Sequence, residues 1–218
     1  WHAFDYVYPV ISRRSGGLSV GVNLNPDGAC NFDCVYCQVD RTRPPARRDV
    51  ELDTLRDEVD RMVGYVTSGT LWQDARFAVT PEPLRRFADI AFSGDGEPTA
   101  CPVFPQACDL VIELREMHRL TDTKIVLITN ATRLDKPAVQ QAIDRLHDHG
   151  GEVWAKLDAG TQAWFEQLDR PRGGLTLDGI TQQIIAQSQR HPLVIQSMFL
   201  QIDGHPPPQS EVAAYRDR

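Results

Sequence analysis

No stretch of this chain stays apolar for long. The longest such runs, near 125–128 and 193–202, fall well short of the roughly 20 residues that cross a bilayer, and there is no N-terminal signal sequence. No membrane partner is expected, and the chain reads as cytoplasmic. Basic excess is also missing. A formal charge of -7 argues against a nucleic-acid module whose whole surface is basic. There is no internal repeat and no long low-complexity segment, which sets aside repeat and disordered architectures. A paired disulfide framework is absent too, because the five cysteines are odd in number and three of them fall within eight residues. Without a sign of secretion, such a cluster holds metal more often than it forms disulfides.

What remains describes one soluble globular domain. The 218 residues are 41% hydrophobic and 24% charged, enough for one core and too few for two domains of ordinary size. Short apolar runs alternate with helical patterns, the signature of strand–helix units around a parallel sheet. Strands are predicted at 18–24, 88–92, 125–129, 153–158 and 194–202. Helical spacing links Leu52, Leu55, Val59, Met62 and Val63, then Phe104, Cys108, Val111 and Leu114, then Val139, Ile143 and Leu146. A further helix is predicted over 177–189, with Ile180, Ile184 and Ile185 inward. The fold class is therefore α/β. Residues 1–17 form an N-terminal extension, 18–205 the barrel-like body and 206–218 the start of a helix whose unit is incomplete.

Each predicted strand ends in a loop rich in Gly, Asn, Asp or Glu, at 23–28, 93–98, 130–132 and 158–161. Ligand chemistry gathers at the carboxyl ends of parallel strands, so these loops should share one face. The first of them leads into Cys30, Cys34 and Cys37 at a C-x3-C-x2-C spacing. Three thiolates leave one iron of a cubane open, whereas ferredoxins supply four. The competing reading is a zinc-stabilised or electron-transfer binding module, although zinc motifs usually pair two ligand halves and no second half is evident. Charge is uneven around the cysteines. Residues 1–48 carry six Arg against four Asp, a net +2 that leaves -9 for the rest.

The spacing, with Tyr36 at the aromatic position of Cys-x-x-x-Cys-x-aromatic-Cys, resembles the radical S-adenosylmethionine (SAM) superfamily. Phe92-Ser-Gly-Asp-Gly-Glu-Pro-Thr99 resembles the family's Gly-Gly-Glu motif with Asp95 inserted, Leu127-Ile-Thr-Asn130 its Thr-Asn-Gly segment with Ala131 for Gly, and Lys156-Leu-Asp-Ala159 its Ser-Leu-Asp segment with Lys156 for Ser. Within the superfamily the chain is most similar to bacterial and archaeal iron-sulfur oxidoreductases related to the tRNA wyosine-base synthases. The wyosine synthases carry a second set of cluster cysteines, which Cys101 and Cys108 cannot supply, so that activity itself is not implied.

The resemblance implies a partial (β/α)6 TIM-like barrel, with a [4Fe-4S] cluster on Cys30, Cys34 and Cys37 and SAM on its open iron. It also implies an electron donor such as flavodoxin or ferredoxin. Reductive cleavage of SAM to methionine and a 5'-deoxyadenosyl radical would then abstract hydrogen from a substrate, which is a small molecule, a peptide or RNA. Gly94 and Gly96 let backbone approach the methionine, with Asp95 between them, and Glu97 offers a carboxylate to its ammonium. Asn130 and Asp158 either bond the cofactor or cap the helices that follow, and Gln196 and Ser197 are candidates for the adenosine pocket. Lys156 either meets a substrate anion or pairs with Asp158 from the same strand face. Arg13, Arg14 and the 41–48 arginines are candidates for an anionic substrate, or else a solvated loop.

Overall fold

A computed structural model of the chain describes residues 1–42, 44, 47 and 49–218. Part of the predicted 41–48 loop, including Arg43 and Arg48, lies outside the described residues. Six strands form one sheet in sequential order: β1 (Val7–Ser12), β2 (Gly17–Val22), β3 (Phe87–Phe92), β4 (Lys124–Thr129), β5 (Glu152–Lys156) and β6 (Val194–Gln196). β2 through β6 pair in parallel, whereas β1 returns antiparallel against β2. This open, mostly parallel sheet matches a partial barrel. The antiparallel strand is one the sequence pattern missed, in a stretch read only as an extension.

The helices are α1 (Leu52–Thr67), α2 (Phe104–Met117), α3 (Pro137–Asp148), α4 (Gln162–Leu168), α5 (Leu177–Ser188) and α6 (Gln209–Asp217). Apolar residues at helical spacing lie inward on α1, where Leu55, Val59, Met62 and Val63 are fully buried, and on α2, where Cys108 and Val111 are. Against them pack alternate strand residues, Val20 and Val22, Ile90 and Phe92, Ile125 and Leu127. On α5, Ile180 and Ile184 are buried as predicted, but Ile185 is 41% exposed. It sits one residue past the inward stripe, about 100° around the helix. Thr161 and Thr176 start α4 and α5 by accepting bonds from the Trp164 and Gly179 amides.

β6 is shorter than the predicted 194–202 strand. The Met198 amide donates to the Asp158 carboxylate and the Ser197 hydroxyl to the Leu157 carbonyl, so the chain leaves the ladder after Gln196. Val194 and Ile195 are exposed at this edge of the sheet. No helix among the described residues is long and apolar enough to cross a membrane.

Glu58, a buried carboxylate on α1, fixes the entry to β1. It accepts the amides of Asp5, Tyr6 and Val7 at 2.6, 2.8 and 3.1 Å. Removing the acceptor strands buried donors, each costing about 1–3 kcal/mol. E58A should therefore lower the unfolding free energy by about 3 kcal/mol and E58Q by less, read by denaturant titration. Equal effects of the two variants would show that the backbone bonds are not what Glu58 contributes.

Candidate functional site

Parallel pairing from β2 to β5 brings the loops at their carboxyl ends to one edge of the sheet, as the sequence pattern predicted. The cysteine loop follows β2. Its backbone is held from the far side of the molecule: the Asp33 and Val35 amides donate to the carbonyls of Asp169 and Leu168, and the Arg172 amide to that of Asn31. Cys30 and Cys34 are half-buried and Cys37 is exposed. Burial pushes the Cys30 thiol up, and burial together with the Asp169 carboxylate pushes Cys34 up to about 12. Thiols in such surroundings become thiolates when a metal replaces the proton. Among the described residues, no three Cys, His, Asp or Glu side chains converge as ligands of a single ion. The predicted bystanders Cys101 and Cys108 are both buried, Cys108 within the helical core.

The glycine loop after β3 lies directly against the cysteine loop, the Glu97 amide donating to the Ala29 carbonyl. A Cβ on Gly94 would fall 2.4 Å from the Asn23 side-chain oxygen, and one on Gly96 would fall 2.0 Å from the Ala29 carbonyl. Neither position admits a side chain, because Asn23, Asn25 and the Ala29 carbonyl already fill that space, so the glycine loop packs directly on the segment that leads into the cysteines. Asn23 sets the loop's shape by accepting from the Asp95 amide at 3.1 Å and donating to its carboxylate at 2.8 Å.

Glu97 turns inward. Its carboxylate is buried and accepts four bonds, from the Thr99 amide and hydroxyl, the Thr129 hydroxyl and the Asn130 amide. Burial pushes its carboxyl up, and the four donors oppose that shift. Glu97 thus ties the end of β4 to the loop after β3. Asn130 in turn donates to the Asn31 side-chain oxygen at 2.6 Å and accepts from the Thr132 amide and hydroxyl, while Asn31 donates to Thr132 at 2.6 Å. Asn130 therefore shapes its own turn and also clasps the cysteine loop.

On the β5 side, Tyr36, Lys156, Asp158 and Asp169 form one network. The Lys156 ammonium donates to the Tyr36 hydroxyl, lies 4.4 Å from the Tyr36 ring centroid and pairs with Asp158 at 3.3 Å. The Tyr36 hydroxyl donates to Asp158 and sits 3.4 Å from Asp169, which also accepts from the Cys34 thiol at 3.4 Å. Burial and the Asp158 carboxylate push the Tyr36 phenol upward and Asp169 up to about 7. Of the two readings for Lys156, the internal pair with Asp158 is formed. Gln196 ends β6 and its carbonyl accepts from the Leu157 amide. The Ser197 hydroxyl is engaged by the Leu157 carbonyl and the Tyr215 hydroxyl of α6.

Arg13 and Arg14 lie in the turn between β1 and β2, at the opposite end of β2 from the cysteines, so they do not flank the cluster loop. The Arg14 guanidinium instead stands 5.9 Å from the Trp154 ring centroid. Of the 41–48 arginines among the described residues, Arg41 reaches the site and Arg47 pairs with Asp5 at 2.8 Å. Three thiols on one loop beside a glycine-lined backbone surface suit an iron-sulfur cluster with one ligand position left for a small molecule.

A family model described as the radical SAM superfamily matches residues 24–182, from the loop after β2 into the first half of α5. The chain belongs to the radical SAM superfamily. Enzymes of this superfamily use a [4Fe-4S] cluster and SAM, and the cofactors expected from the sequence are those. The chain is 27% identical over 166 residues to a UPF0026 protein of Helicobacter pylori, covering 75% of this chain and 45% of that one. It is 30% identical over 203 residues to a UPF0026 protein of Synechocystis, covering 91% and 66%. The chain spans about half the length of the curated relatives it matches. A solved structure of TYW1 with a lysine-pyruvate adduct bound is similar at 17% identity and a TM-score of 0.49, covering 88% of this chain and 57% of that one.

Asn31 and Asp169 shape these loops and escaped the sequence reading, whereas Asn23 and Thr129 fall within segments it singled out. Thr129 shows most directly what such residues contribute. T129V removes one of four donors from the buried Glu97 carboxylate, and a bond to a charged group is worth about 1.5–3 kcal/mol. The chain should lose about 2 kcal/mol of stability, with T129S largely retaining it. Indifference of the unfolding midpoint to T129V would show that Glu97 does not hold the two loops together.

Proposed function

We propose that this chain binds a [4Fe-4S] cluster through Cys30, Cys34 and Cys37 and reductively cleaves SAM to generate a substrate radical. The observation that carries the reading is the contact between the cysteine loop and the glycine loop, sealed by the Glu97 amide on the Ala29 carbonyl. It brings the three cysteines beside a loop whose two glycines pack directly on Asn23, Asn25 and Ala29. When bound, the cluster supplies a low-potential electron at an iron with a free ligand position.

The protein's own part is positioning and exclusion of water. Gly94 and Gly96 present main chain to the methionine moiety, and Asn23 holds Asp95 so that this surface keeps its shape. Glu97, bound on both oxygens, acts as a positioning residue more than as a direct partner of the ammonium. Asn130 lies between the two loops, with its amide already given to Asn31. Tyr36 stacks its ring beneath Lys156 and, with Asp158, walls the β5 side. Gln196 borders that wall, and Ser197 supports it through Leu157 and Tyr215. Lys156 is held by Asp158 and Tyr36, and Arg14, farther down the sheet beside Trp154, is a cationic group offered to an anionic substrate. The external electron comes from a small donor protein of the flavodoxin or ferredoxin type.

Anaerobic reconstitution should give a brown protein with about four irons and matching acid-labile sulfide per chain. Under a strong reductant the loaded protein should form 5'-deoxyadenosine from SAM, and C30A, C34A or C37A should each abolish it. One zinc without sulfide, or 5'-deoxyadenosine from any of the three variants, would overturn the assignment.

A further inference from the structure

Arg41 makes three bonds that no other side chain of the site makes together. Its Nε donates to the Gly28 carbonyl at 2.9 Å, its Nη1 to the Cys37 thiol at 3.2 Å and its Nη2 to the Asp95 carbonyl at 3.1 Å. One planar guanidinium thus spans the start of the cysteine loop, its last cysteine and the centre of the glycine loop. Arg41 lies four positions after Cys37, and just beyond it the Thr42 amide and hydroxyl both donate to the Asp40 carboxylate. Lysine has one compact ammonium and cannot reach three divergent acceptors in one plane, whereas the guanidinium carries five donors in a fixed fork.

We propose that Arg41 is a positioning residue that couples the cluster to the SAM-binding loop, raising the reduction potential through Cys37 while holding Asp95 in its binding position. The inference rests on the functional reading above and adds to it a residue outside the family's motifs. A thiolate of a reduced cluster carries more negative charge than that of an oxidised one. An N–H donor with full positive charge therefore stabilises the reduced state, and hydrogen bonds and net charge around the sulfurs are what set such potentials. Cys37 is the exposed member of the three cysteines, so without Arg41 its sulfur would face water alone. The same side chain fixes the Asp95 carbonyl, on the loop whose amide and carboxylate Asn23 already holds. Asp95 is thereby gripped from both sides, from the β2 loop by Asn23 and from the cysteine loop by Arg41.

Removing one half of this arrangement separates the two roles. Loaded R41Q, compared with the loaded wild type, should show a more negative cluster potential in a redox titration followed by electron paramagnetic resonance. Its Kd for SAM should rise about tenfold, the scale of loss when an outer-shell partner is removed. R41K keeps the charge near Cys37 and loses the fork, so its potential should return most of the way to wild type while its SAM affinity stays weakened. A potential in R41Q equal to that of the wild type would overturn the proposal, as would full restoration of SAM affinity in R41K. If R41Q takes up no cluster, R41K carries the comparison. If both fail to load where the wild type loads, Arg41 is structural and the tuning role falls. A wild-type chain that takes up no cluster removes the functional reading itself, an outcome told apart by iron and sulfide content before any potential is measured.

Discussion

The arrangement of this site depends on one buried carboxylate. Glu97 is removed from water in the loop after β3, where an ionised group is costly unless donors surround it. Four do, and they come from two loops: Thr99 from its own turn, Thr129 and Asn130 from the end of β4. Satisfying the charge requires those loops to meet at a fixed separation, and once they do, Asn130 is aimed at Asn31 in the cysteine loop. The cysteine loop, which has no regular secondary structure of its own, thereby inherits its position from the sheet. Its backbone is paired on the other side with the 168–172 segment. A loop pinned from both sides is the kind of support that a cluster site needs, since ligands held on the scaffold keep their geometry better than ligands on a free loop.

Much of this was legible in the chain. The cysteine spacing, the glycine motif and the alternation of apolar runs with helical stripes gave the superfamily, the parallel sheet and the shared edge of the loops. What could not be read has identifiable physical causes. β1 contains Pro9 and borders turn residues, and proline within a short run weakens a strand signal. The predicted length of β6 failed because the Asp158 carboxylate and the Leu157 carbonyl capture its continuation, an event set by residues some forty positions away. The placement of Arg13 and Arg14 beside the cluster followed their proximity along the chain. The six residues of β2 carry them about 20 Å to the other end of the sheet.

The clasp residues were invisible for a related reason. Asn31 and Asp169 are ordinary polar residues until the fold brings partners a hundred or more positions apart into contact, as with Asn31 and Thr132 or Cys34 and Asp169. Local sequence carries no trace of such pairs. Glu97 illustrates the opposite case. Its position within the motif was read correctly and its environment was not, because nothing in Gly-Asp-Gly-Glu-Pro shows that the carboxylate points into the protein. The Lys156 and Asp158 pair was foreseeable only because alternate strand positions share a face, and Tyr36 joined it from a loop that no periodicity describes.

The two borders of the sheet differ in kind. On one side β1 runs against the direction of its neighbours and carries Pro9, which lacks a ladder donor, so that border is blunted against a further strand. On the other, β6 runs with the sheet, is three residues long and leaves Val194 and Ile195 facing outward. A further strand, whether of the same polypeptide or of another, would find beyond β6 a parallel template of three residues, and the shortness of that edge itself limits how far such an addition extends.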